Sequence, residues 1–197
     1  MKTFLNCQSF SDILEAATNN NIDGFMIDSS AKYNFAPFDT HYYDLLPDIV
    51  NYLRFNKPNS SISVEIFEND LSSMGRQIIK MHELSKTANY NIYSNIPLLM
   101  QDGTSTIPLY KDMSDEGISC NIVGVVDRYK ADVVIDNLNH FVDSIITVRT
   151  NSVESFKNIK SSFDLLKNNN TKIKFMWYND NLLEAKESEC DINLIGK

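Results

Sequence analysis

Apolar residues recur along this chain in two alternating rhythms. Short runs rich in β-branched and aromatic residues stand at 2–6, 22–28, 61–66, 91–97, 119–126, 144–148, 172–178 and 191–195. Their length and composition predict buried strands. Between them, apolar positions fall three and four residues apart: Phe10, Ile13, Leu14 and Ala17; Leu45, Leu46, Ile49, Val50 and Leu53; Leu71, Met74, Ile78 and Met81. That spacing gives a helix one apolar stripe. Further helices are expected after the turn Asp102–Ser105 and over 127–139, 152–167 and 181–189. Ser9 or Ser11, and Asn69 or Asp70, are the expected caps, while Asn19–Asn21, Pro58-Asn59 and Asn168–Asn170 punctuate.

Strands alternating with helices, about eight of each at most, predict one domain over 1–197, a parallel (β/α)8 TIM barrel. On the seventh strand Ile173, Phe175 and Trp177 are expected to face inward and Lys174 the helices. Little chain follows the eighth strand, so the barrel is expected to be incomplete at its C-terminal helix. The apolar seam left there predicts a homodimer or a partner protein, with the aromatic loop Tyr33–Tyr43 as the other candidate contact.

Composition narrows the class. The 197 residues carry 43% hydrophobic and 22% charged side chains, ordinary for a globular domain, and a formal net charge of −8. Such a charge argues against a nucleic-acid partner. No apolar run is long enough for a membrane span, and Met1–Asn6 does not open a long signal-type apolar core. Cys7, Cys120 and Cys190 are odd in number and far apart, which suits buried reduced thiols, and the expected location is cytoplasmic. His41, His82 and His140 are isolated, and no phosphate loop or dinucleotide fingerprint occurs, so neither a metal nor a cofactor is expected.

The phrases Asn21–Ser29, Ile62–Ile66, Asn91–Pro97 and Ser114–Asn121, taken in order, resemble the transaldolase and fructose-6-phosphate aldolase family. That resemblance implies a barrel, sugar-phosphate chemistry and a lysine that forms a Schiff base with a keto sugar. The matching lysine position is Asn95, and an amide cannot form an imine. The family's proton-shuttle aspartate falls on Asn6 and its water-holding threonine on Val123; its Thr-Thr-Asn stretch becomes Met26-Ile27-Asp28. Glu65 retains the third-strand acid, Arg149 stands near the phosphate-binding arginine, and Trp177 replaces a small serine.

Two readings follow. The first is a pseudoenzyme that keeps the barrel to bind a sugar phosphate or a protein partner. The second is an enzyme of altered mechanism using Glu65, Asp28 and Arg149; an active transaldolase is a third, weaker reading. A mouth filled by Trp177 and Tyr93 favours the first, an open polar pocket around Glu65 the second. Glu65 also fits a purely structural role, paired with Arg149 or bonded to Asn95.

Overall fold

The computed structural model describes residues 1–27, 42–164 and 171–196. The element order is β1 (Lys2–Cys7), α1 (Phe10–Ala17), β2 (Gly24–Ile27), α2 (Tyr42–Asn56), β3 (Ser61–Glu65), α3 (Leu71–Ala88) and β4 (Asn91–Pro97). It continues with α4 (Ile107–Asp115), β5 (Cys120–Val125), α5 (Arg128–Asn137), β6 (Ser144–Val148), α6 (Val153–Asp164), β7 (Ile173–Tyr178), α7 (Leu182–Glu187) and β8 (Ile192–Ile195). Every strand pairs in parallel with its sequence neighbours and β8 pairs with β1, closing the expected barrel. Asp28 and the loop residues 28–41 lie outside the described residues.

Local chemistry explains the helix starts. Ser9 accepts from the Asp12 amide while the Asp12 side chain accepts from Ser9 N, a reciprocal box at the head of α1. Asp70, Asp127 and Asn181 cap α3, α5 and α7 in the same way. Asn89 ends α3 in the left-handed conformation at φ 49°. Lys57 donates to Asn19 O at 2.6 Å and Ala17 O at 3.4 Å, tying the end of α1 to the α2–β3 turn.

Alternation along the strands divides the core in two. Ile92 and Ile96 of β4 face the helices and join the large outer core, while Tyr93 joins an inner cluster with Phe4, Met26, Ile145, Met176, Ile192 and Leu194. On β7 the alternation is the reverse of that expected. Ile173, Phe175 and Trp177 lie in the outer core, and Met176 lies inside the barrel. Trp177 stacks on Phe156 at 5.1 Å and donates from Nε1 to Thr150 O at 3.0 Å, which gives the indole a larger apolar slot than the narrow lumen offers.

Strand stagger sorts the inward side chains into layers of four from alternate strands. Following the register, Phe4, Ser63, Asn121 and Met176 form a central layer. Gly24, Tyr93, Ile145 and Ile192 lie on its amino side, and Met26, Asn95, Thr147 and Leu194 on its carboxyl side. Asn6, Glu65, Val123 and Tyr178 follow at the carboxyl mouth. A register shift between Val123 and Val125 then turns Val125 into the outer core. Among the described residues no helix is long and apolar enough to cross a membrane.

Candidate functional site

The lumen is polar in one half only. Thr147 donates to Asn121 Oδ1 at 2.7 Å. Asn121 Nδ2 donates to Ser63 Oγ at 2.9 Å and to Asn95 Oδ1 at 3.0 Å. Ser63 Oγ donates to the same Asn95 oxygen. All four side chains are buried, on four successive strands from β3 to β6. The donors fix the orientation of every group, because Asn95 Oδ1 accepts twice and cannot exchange places with its nitrogen. Asn95 Nδ2 makes no hydrogen bond. The lysine position of the resemblance is therefore an amide, held rigidly.

Above this girdle the barrel opens. A cleft of about 590 Å³ lies at the carboxyl ends of β3 and β4, bounded by Glu65, Phe67, Glu68, Pro97, Met100 and Asp102 among others. The Thr104 backbone amide, 2.8 Å from Asp102, holds that carboxyl below the usual carboxylate range. No lysine or arginine lines the cleft. A short antiparallel bridge, Leu99 to Ser105, shapes its outer wall, and Thr106 anchors that turn by donating to Pro97 O.

Of the positions singled out in the sequence, the register gathers Asn6, Glu65, Val123 and Asn95 in the two layers nearest the mouth. Arg149 follows β6 at the rim, exposed and outside the cleft lining. Trp177 faces the helices and does not reach the mouth. Ser63, Asn121 and Thr147 were not singled out as a site; their signal is a polar residue at the inward position of an otherwise apolar strand. Glu68 and Asp102 lie beyond strand ends, where periodicity carries no information.

The amino end is built differently. Lys174, expected among the helices, donates to Asp143 Oδ1 at 2.6 Å and to Tyr93 OH at 3.4 Å. Burial, with Asp143 nearby, pushes the Tyr93 phenol well above its ordinary range. Asp23 accepts from Thr3 N and Asp191 from Phe175 N, each at 2.8 Å, so carboxylates cap strand-end amides. A shallower cleft of about 420 Å³ lies here, bounded by Lys2, Lys174 and Asp191 among others. Among the described residues no group of three or more metal-ligating side chains gathers.

No family model matches the chain, and no curated protein matches it by sequence. Solved structures do. The N-acetylneuraminate lyase of Mycoplasma synoviae is similar over 94% of this chain and 61% of its own, at TM-score 0.60 and 13% identity. Dihydrodipicolinate synthase of Rhodopseudomonas palustris is similar over 100% and 70%, at 0.59 and 10%. A monomeric dihydrodipicolinate synthase variant is similar over 98% and 68%, at 0.63 and 11%. The chain thus spans only about three fifths of the lyase's length. At these identities the likeness shows the fold alone.

The fold neighbours correct the resemblance to transaldolases: they are lyase- and synthase-type barrels instead. The phrases that carried the resemblance have local causes. Gly117 ends α4 at φ 80°, and Ile118 N closes that end on Met113 O, a common helix stop. Gly24 is required because a Cβ there would come within 2.3 Å of the Phe4 ring. Glu-Gly-Ile and Asp-Gly are thus demands of the barrel, not marks of one family.

Proposed function

We propose that this chain is a small-molecule-binding barrel that works without an imine-forming lysine and takes an uncharged or cationic polar ligand in the cleft beside Glu65. The carrying observation is the pairing of a fixed amide girdle, with Asn95 at its carboxyl side, with an open cleft whose charged lining is wholly acidic. A phosphorylated ligand is disfavoured, because Glu65, Glu68 and Asp102 would repel it and Arg149 stands apart from them. The open polar cleft also favours a second reading, in which Glu65 acts as a general acid or base on the bound ligand. That role requires only a carboxylate within hydrogen-bond reach of the ligand's proton.

The test is reductive trapping. Borohydride with pyruvate, dihydroxyacetone or fructose 6-phosphate is expected to leave the protein mass unchanged. A stable adduct on any lysine, Lys174 included, would sink the proposal. A partner belongs to the same reading: Tyr178, Leu182 and Leu183 expose apolar surface beside the last strands. Light scattering at micromolar concentration checks self-association, and a stable monomer there removes it.

A further inference from the structure

Resting on the binding reading above, the geometry points to Asn95 as the specificity-determining donor at the floor of the cleft, and to a polyol with adjacent hydroxyls as the ligand class. Asn95 is 1% exposed, and its Nδ2 is without a hydrogen-bond partner. Buried amide N–H groups are nearly always paired, because leaving one unmade is costly. Its two inward neighbours are Glu65, directly across the register on β3, and Pro97, the next inward residue on β4. Both line the cleft. With Oδ1 held by Ser63 and Asn121 of the layer beneath, the nitrogen is left turned to the mouth side.

Donor and acceptor together define what fits. An amide nitrogen offers only donors and a carboxylate only acceptors. A phosphate satisfies the amide but meets three carboxylates. An ammonium satisfies the carboxylates but has no lone pair for Asn95. Neighbouring hydroxyls serve both, one accepting from Asn95 Nδ2 and the next donating to Glu65. Phe67, Met74 and Met100 on the cleft wall then face the C–H surface of the carbon chain. A bridging water can occupy the same position until a ligand oxygen displaces it.

Nitrogen–proton NMR spectra of the assigned full chain, titrated with millimolar ribitol, D-fructose, putrescine and inorganic phosphate, test this. Ribitol or fructose is expected to move the Glu68 and Asp102 amides together with the Asn95 side-chain pair. Asn95→Asp, which keeps both acceptor contacts and removes the donors, should weaken that binding about tenfold or more. Polyol shifts in the cleft that leave the Asn95 pair still, or equal affinity in the variant, would overturn the role of Asn95 while the binding reading stands. Shifts with putrescine alone would overturn the polyol class only. Shifts with phosphate alone, or with none of the four probes, would overturn both. Should the variant not fold, the wild-type Asn95 pair decides.

Discussion

The two halves of the lumen are made from the same eight strands and differ in what they ask of their side chains. On the amino side Tyr93, Ile145 and Ile192 pack with Phe4, and Lys174 with Asp143 stands at the opening. On the carboxyl side a hydrogen-bonded ring of amides and hydroxyls leads to an open acidic cleft. An apolar layer repacks when one member changes, whereas a buried polar ring fails as a unit. The contrast separates a half that holds the barrel closed from a half that can meet a ligand, the usual division of labour in this fold.

The largest test of that contrast is Asn121→Leu. It removes the hub that joins Ser63, Asn95 and Thr147. Each buried polar group left unmet costs about 1–3 kcal/mol, so a loss of about 3 kcal/mol or more is expected in urea unfolding. A loss under about 1 kcal/mol would mean that the ring is not a unit, and the distinction between the halves would fail.

Gly24→Ala probes the packed half. The added Cβ would lie 2.3 Å from the Phe4 ring, and overpacking of this kind costs about 1–3 kcal/mol. Adding Phe4→Leu should recover part of that loss, because the two positions touch. Strict additivity in the double-mutant cycle would show that the amino half is looser than described.

Tyr93→Phe should have the smallest effect at neutral pH, under about 1 kcal/mol, since only the 3.4 Å contact to Lys174 is lost. Its signature is alkaline. The folded phenol is held protonated while the unfolded one ionises near pH 10, so the folded state binds the extra proton and stability falls as pH rises past that point. Cys120, pushed from 9.0 up to about 12 by burial, adds a fall of the same sign above about pH 9. The Phe variant should flatten the decline above pH 10. An unchanged slope from pH 10 to 11 would show that Tyr93 is not the buried phenol responsible.

The barrel was legible because strand and helix periods alternate cleanly; even β4, Asn91–Pro97, has the expected bounds. What failed was the facing of single strands. Every residue of β7 from Phe175 to Trp177 is buried, so alternation of polarity cannot tell lumen from helix side. The bulge after Val123 likewise resets the alternation without a polarity cue. Asn6, Glu65, Asn95 and Val123 were found as a group because each stands near the carboxyl end of its strand. Glu68 and Asp102 were not, since only closure of the barrel brings one loop beside another. The family resemblance failed because turn and cap residues repeat in every unit of a barrel.

The three cysteines have a practical consequence. Cys7, Cys120 and Cys190 are 0%, 0% and 3% exposed, and none is paired. Thiol reagents attack the thiolate, and these groups are shielded from solvent, with Cys120 and Cys190 also held protonated by burial. The native chain is thus a nearly silent background for maleimide chemistry. A single cysteine introduced at exposed Asp102 would take up a fluorophore or spin label alone, at the lip of the cleft, and report there without stripping the protein of its own sulfur.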